Sequence, residues 1–273
     1  MYKLYCRTYQ FILKMVAYFL PWRKPELLEG EGSLRKLPAS MKRRGIKRVL
    51  IVTDKGITSI GLMNRMKAGL EAAGIHYFIY DRTVPNPTID NIEEALEMYH
   101  DNQCGGIIAF GGGSPMDCAK GVAARITRPK KQVPQLKGIL KVRKKIPPLF
   151  AVPTTSGTGS EATLAAVISN PSTHEKYAIN DPSLIPHVAV LDPLLTVKLP
   201  RHITSTTGMD ALTHAIEAYI GNSNTEETRE CSREAVQLIF DNLYEAYING
   251  SNLTARKNMQ KAAYLAGIAF TRA

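Results

Sequence analysis

The chain has 273 residues, with 35 Lys and Arg against 24 Asp and Glu (formal charge +11) and a hydrophobic share of 44%. That length and apolar share can bury a full core and leave room for two domains, which argues against a disordered or fibrous chain. The four cysteines, Cys6, Cys104, Cys118 and Cys231, are too widely spaced for a disulfide framework or a thiolate metal knot, so a reducing cytoplasm is the expected compartment.

Residues 1–25 read as a leader, predicted helical. Tyr2, Tyr5, Tyr9, Phe11, Ile12, Val16, Phe19 and Leu20 are mixed with Lys3, Arg7 and Lys14. No window reaches the roughly 18 uncharged apolar residues a membrane span needs, and no small-residue cleavage site precedes Pro21. Stable membrane insertion is therefore not expected. Either a helix docked on the protein's own body or on a second subunit, or an amphipathic surface helix, fits the pattern.

Beyond the leader, strands and helices alternate. A short helix opens near Ser33 and stops at Gly45; Arg48–Val52 is a β-rich run followed by Thr53 and Asp54. A helix is predicted from Ser59 to Ala73, a strand from His76 to Tyr80, and a rigid loop at Val84-Pro85-Asn86-Pro87. Thr88 or Asp90 then caps a helix through Tyr99. This order predicts a mainly parallel sheet with helices on both faces.

The most informative stretch is Ile107–Phe110, an apolar strand, then Gly111-Gly112-Gly113, then a helix from Met116. Glycines let the backbone approach a ligand, and the free N–H groups of a helix start attract an anion. The pattern differs from the spaced-glycine dinucleotide fingerprint and from the lysine-bearing phosphate loop. A phosphate cradle and a crowded turn both remain open on the residues alone. A second buried strand, Leu149–Pro153, runs into Thr154-Thr155-Ser156-Gly157-Thr158-Gly159-Ser160-Glu161, rich in hydroxyls and glycines. Two such loops after two strands place a ligand outside the carboxyl ends of a sheet. Val188–Leu191 is a further strand, closed by Asp192-Pro193.

From Cys118 to Ser160 the chain has ten Lys and Arg and no acid. Aromatic residues are not interleaved with this run, so a stacking platform for nucleic acid is unsupported; a charged face near phosphate-bearing small ligands is the expected reading.

Near residues 197–203 the character changes. Helices are predicted near Thr206–Ile220, Thr225–Ile248 and Leu253–Thr271, with no strand. Asp210 and His214 share a helix face one turn apart, with Glu217 close by. A carboxylate and an imidazole at that spacing can share one divalent ion or simply pair with each other.

These residues together resemble the iron-containing (group III) alcohol dehydrogenases. The marks are Val52-Thr53-Asp54-Lys55, Val84–Pro87, Gly111-Gly112-Gly113-Ser114-Pro115-Met116-Asp117, Pro153–Glu161, Lys176, Asp192-Pro193 and Gly208-Met209-Asp210-Ala211-Leu212-Thr213-His214-Ala215-Ile216-Glu217, in order from about residue 25 onward. The resemblance implies an α/β fold: an N-terminal Rossmann-like nucleotide-binding domain over 26–199, then an all-helical domain that starts at 200 and is incomplete at 273.

It further implies that NAD contacts Asp54, Asn86, Gly112, Gly113, Ser114, Asp117, Thr154, Thr155, Thr158, Lys176 and Leu195. Asp54 would favour NAD over NADP by repelling a 2′-phosphate. Asp210 and His214 match the first two ligands of a divalent metal, Fe²⁺ or Zn²⁺. Family members add two further histidines beyond the position of Ala273, so the chain is expected to be the front part of the enzyme. The implied reaction is hydride transfer between NAD and a small primary alcohol or its aldehyde, in a homo-oligomer that binds no nucleic acid. A catalytically incomplete nucleotide-binding module is the alternative.

Overall fold

The computed structural model describes Thr8 and residues 22–272. Apart from Thr8, the expected leader helix lies outside the described residues. Among the described residues no helix is long and apolar enough to cross a membrane.

Six strands form one parallel sheet: β1 (Glu26–Glu29), β2 (Arg48–Val52), β3 (His76–Tyr80), β4 (Gly106–Gly111), β6 (Leu149–Pro153) and β9 (Val188–Leu191), in the order β1-β9-β6-β4-β2-β3. A second sheet joins β5 (Gly138–Ile139), β8 (Glu175–Asn180) and β7 (Ala165–Asn170). The helices are α1 (Leu37–Arg43), α2 (Lys55–Ser59), α3 (Asn64–Ala72), α4 (Ile89–Asp101), α5 (Gly113–Thr127), α6 (Arg201–Ile220), α7 (Glu226–Ile248) and α8 (Leu253–Arg272).

The central strands are apolar at every position because both faces of the sheet are covered. Along β2, β4 and β6 successive side chains alternate between two cores. Leu50, Val52, Ile107, Ala109, Leu149 and Ala151 pack with α4 and α5. Val49, Ile51, Ile108, Phe110, Phe150 and Val152 pack with α1 and α3. Full burial of one such side chain contributes about 1.5–3 kcal/mol, so a one-residue slip of β4 would forfeit several contacts at once. On β9, Ala189 and Leu191 meet Tyr264 and Ile268 of α8, which fastens the helical part to the sheet.

The expected parallel sheet and the helical C-terminal region are both present. Several elements differ in detail. The helix expected over Ser59–Ala73 starts only at Asn64, as α3, because Gly61 (φ +66°) turns the chain after α2, which ends at Ser59. Thr88 is the cap of α4, in a reciprocal pair with Asn91. Helix α5 starts at Gly113, three residues before the expected Met116, and α6 starts at Arg201, before Thr206. The sequence pattern leaves β1, β5 and the β7–β8 hairpin unassigned. Strand β1 is a four-residue edge element paired with β9, and its Glu-Leu-Leu-Glu pattern has no alternation to read.

Candidate cofactor crevice and metal pair

The glycine turn lies at the carboxyl end of β4, at the middle of the sheet. Gly111 has φ +150°, and its carbonyl accepts from Thr154 N–H at 3.0 Å, which holds the end of β4 against the start of the second loop. Gly112 is the N-cap of α5 and no side chain caps that end. The first N–H groups of α5 therefore point outward with the positive end of the helix dipole behind them.

A larger residue would touch the loop at Gly112 and clash with it at Gly113. A methyl group on Gly112 would stand 3.4 Å from Thr155 Oγ1, and one on Gly113 only 2.8 Å from Thr158 Cγ2. The hydroxyl loop thus closes directly over the glycine turn. Thr154 is buried, Thr155 is half-buried and Thr158 is exposed. This is an anion cradle with hydroxyls on its rim, a donor set that suits a dinucleotide pyrophosphate.

Asp54 sits at the end of the neighbouring strand β2. Its Oδ1 accepts from Ile57 N–H at 3.0 Å as the cap of α2, and its Oδ2 lies 3.5 Å from where a Gly111 Cβ would be. The carboxylate is therefore pinned beside the turn. On the other side, Asn86 N–H donates to Ser114 Oγ at 3.2 Å, and Lys176 Nζ donates to Asn86 Oδ1 at 2.7 Å. Asn86 adopts φ +56°, a left-handed conformation that asparagine tolerates better than most residues. These contacts bring Asn86, Ser114 and Lys176 together on one rim of the crevice. Leu195 is not part of that rim: it is 7% exposed and packs in the core beside Phe110 and Val152.

Asp117 faces inward. Its Oδ1 accepts from Ser160 Oγ at 3.0 Å and its Oδ2 from Val167 N–H at 3.2 Å. Desolvation raises its pKa, opposed by the nearby Lys120. Lys120 itself is fully buried, and Glu161 is 3% exposed. Burial moves Lys120 down to about 8 and Glu161 up to about 7, with their mutual attraction opposing both shifts. Lys120, Ser160 and Glu161 are not among the site residues expected from the sequence. A signal for them exists: Lys120 is the lone charge in the apolar run Cys118–Ala124, and a buried ammonium needs partners.

Apart from the buried Lys120, and Lys137, which pairs with Glu175, the basic residues traced here lie away from this crevice. Arg128 and Lys131 follow the C-terminal end of α5 and donate to the carbonyls of Val142 and Lys141. Lys145 lies near His187, whose Nδ1 accepts from the first amide of β6 at 3.1 Å. Because α5 runs opposite to the strands, this charge gathers at their amino ends. The expectation of a basic face beside the cofactor is corrected by that helix direction.

On α6, Asp210 Oδ1 and His214 Nε2 are 3.6 Å apart. The His214 ring lies 4.5 Å from the Phe270 ring, centre to centre, and its Nδ1 is buried with no hydrogen-bond partner. A carboxylate oxygen and an imidazole nitrogen on one helix face suit a divalent iron or zinc ion as two donors of its shell. Among the described residues no third His, Cys, Asp or Glu completes a group with them; Glu217 is exposed, and so is His202 in the first turn of α6. The pair stands close to the crevice. A Cβ on Gly157 would meet Thr207 Cβ at 2.8 Å, and Thr207 is one turn of α6 before Asp210.

Two family models match the chain over most of its length. Residues 25–193 match the model of iron-containing alcohol dehydrogenase, and residues 204–273 match that of the Fe-containing alcohol dehydrogenase family, C-terminal. The chain is 40% identical over 246 residues to alcohol dehydrogenase 4 of Schizosaccharomyces pombe, an alignment covering 90% of this chain and 58% of that one. It is similar to the crystal structure of 1,3-propanediol oxidoreductase (TM-score 0.90, 37% identity, 93% of this chain and 66% of that one). It is also similar to the sulfoacetaldehyde reductase of Bifidobacterium kashiwanohense in complex with NAD⁺ (TM-score 0.84, 30% identity, 93% of this chain and 67% of that one). The chain thus spans a little over half the length of the yeast enzyme. On the family match and on these identities, the chain belongs to the iron-containing alcohol dehydrogenase family.

Proposed function

We propose that this protein is an NAD-dependent, metal-assisted oxidoreductase that interconverts a small primary alcohol and its aldehyde. The observation that supports it most is the uncapped start of α5 at the glycine turn, closed over by the hydroxyl loop and flanked by Asp54. The amides of Gly113 and Ser114 and the hydroxyls of Thr154, Thr155 and Thr158 would hold the pyrophosphate, Asp54 the adenosine ribose, and Asn86 with Lys176 the adenine side. Asp117 acts from beneath, through Ser160. Asp210 and His214 would supply two donors to a divalent ion, iron in the first place and zinc in the second. When bound, NAD accepts or gives the hydride and the ion polarises the substrate oxygen. The division at about residue 200 into a dinucleotide-binding and a metal-binding part is included in this reading.

The reading extends to a cytoplasmic homo-oligomer. The free thiols of Cys104, Cys118 and Cys231 support a reducing compartment. Exposed Ile220, Phe240 and Tyr244 on α6 and α7 support a further packing partner. A second reading, a nucleotide-binding module without turnover, draws on the two-donor pair of α6, which has no third donor among the described residues.

NADH oxidation across a panel of short aldehydes, with iron or zinc added, separates the two. Metal-dependent turnover is the expected result. NADH binding without turnover of any aldehyde supports the module, and no binding of either nicotinamide dinucleotide removes both.

A further inference from the structure

Among the described residues Lys120 is the one lysine buried to 0% exposure, and the proposed chemistry gives it no role. Its ammonium lies among four acceptors: Ser160 Oγ at 2.9 Å, Thr163 O at 2.9 Å, Thr163 Oγ1 at 2.9 Å and Ala165 O at 2.8 Å. Three protons serve four acceptors, so one proton is shared. Ser160 in turn donates to Asp117, one turn earlier on α5. A single node of Lys120, Ser160 and Asp117 therefore ties α5, the helix that presents the glycine turn, to the far end of the hydroxyl loop and to the start of β7.

We infer that Lys120 is a positioning residue for dinucleotide binding: its ammonium clamps the 154–163 loop onto the glycine turn, so that Thr155 and Thr158 stand ready at the pyrophosphate site. Thr158 and Gly113 are in contact already, and a loop that drifted by an ångström would lose that register. A merely space-filling side chain would not need this arrangement. A buried ammonium with unmatched protons is costly, and here every proton meets an acceptor on the segment it holds. The inference rests on the dinucleotide reading of the crevice.

The clamp depends on charge. Burial sets the Lys120 proton to leave at about 8, against the pull of Asp117 on its own helix and Glu161 on the loop. Lys176 of β8 acts on Asp117, Cys118 of α5 senses Asp117, and Tyr264 of α8 senses Glu161, so among the described residues Asp117, Cys118, Glu161, Lys176 and Tyr264 are the titratable groups around the node. Through pH 7–9 the ammonium loses one proton, which leaves two protons for the four acceptors.

The test is NADH titration by fluorescence from pH 6.5 to 9.5, on wild type, Lys120→Met and Ser160→Ala, joined to amide hydrogen exchange of the unliganded proteins. Wild type is expected to bind NADH with a Kd that rises several-fold as the pH passes 8. Lys120→Met is expected to bind about tenfold more weakly at pH 7, with no step near pH 8 and with faster exchange confined to residues 154–163. Ser160→Ala keeps the lysine and is expected to fall between the two, which carries the test if Lys120→Met does not fold. NADH binding by either variant equal to wild type at pH 7, or faster exchange spread equally through β4 and β6, overturns the inference and leaves the dinucleotide reading standing. Absence of NADH binding by wild type removes that reading and the inference with it.

Discussion

Lys176 and Asn86, ninety residues apart, meet at 2.7 Å, ammonium to carboxamide oxygen, and so close one rim of the crevice. The contact joins the loop after β3 to β8 of the small sheet. Both residues are exposed, so the pair adds little to stability. Lys176→Met is expected to leave the melting temperature nearly unchanged and to weaken NADH binding by a few fold. The loss should shrink at high salt, because an exposed charge is screened within about 10 Å at 0.1 M. Titrations at two ionic strengths check this.

Asp54 combines a cap and a charge, and two substitutions separate them. Asn caps as well as Asp, whereas Ala costs about 1 kcal/mol at an N-cap. Asp54→Asn is expected to keep the melting temperature and to lower the ratio of NADP to NAD dissociation constants about tenfold, since the repulsion of a 2′-phosphate is gone. Asp54→Ala should show the same relaxed preference on a less stable protein. An unchanged ratio in both would remove Asp54 from cofactor choice.

The hydroxyl loop touches the helical part through two glycines. A Cβ on Gly267 would lie 2.5 Å from the Gly159 carbonyl oxygen, and Gly159 itself has φ +58°. Gly267→Ala must push α8 from the loop, at a cost of about 1–3 kcal/mol. Urea unfolding is expected to show the lower midpoint, and NADH affinity should fall with it because the loop moves. A midpoint equal to wild type would show that α8 yields freely there.

The 273 residues are expected to retain less than stoichiometric iron or zinc after desalting, because two protein donors leave most of the shell to water and catalytic zinc sites use three. Asp210→Ala and His214→Ala should each remove what metal is retained while leaving NADH affinity within a few fold. Elemental analysis with NADH titration on the same samples reads both. A full equivalent of metal would place the ligands elsewhere.

His187 sets an acid limit. Its half-buried ring accepts the Leu149 amide, and desolvation with Arg23, Arg44 and Lys145 nearby moves its pKa down to about 4 from 6.5. Below pH 6.5 the unfolded chain takes up a proton that the native state refuses, so stability falls as pH falls from 6.5 to 4. The loss is at most about 3–4 kcal/mol, from 1.36 kcal/mol for each pH unit. His187→Asn, which offers an acceptor without titrating, is expected to flatten that limb of a plot of unfolding free energy against pH. A limb as steep as that of wild type would assign the acid loss to the carboxylates.

The local sequence of this protein determined its parallel sheet, its glycine turn and its three long helices. Continuous apolar runs such as Ile107–Phe110 mark strands covered on both faces, and Gly111-Gly112-Gly113 before a helix marks where a ligand can approach. The i,i+4 spacing of Asp210 and His214 likewise puts them on one helix face by helical geometry alone. These features depend on neighbours within a few residues, so periodicity records them.

Only the tertiary structure decided the rest. It brought Lys120 to Ser160 across 40 residues, Lys176 to Asn86 across 90 and Arg23 to the Ile185 carbonyl across 162. It also sent Arg128, Lys131 and Lys145 of the basic run to the amino ends of the strands, away from the crevice. Such contacts follow from strand order and helix direction, which no local window contains. The edge strand β1 is illegible in the sequence for the same reason: its place beside β9 is set by pairing across more than 160 residues, and a four-residue edge strand carries too little pattern of its own.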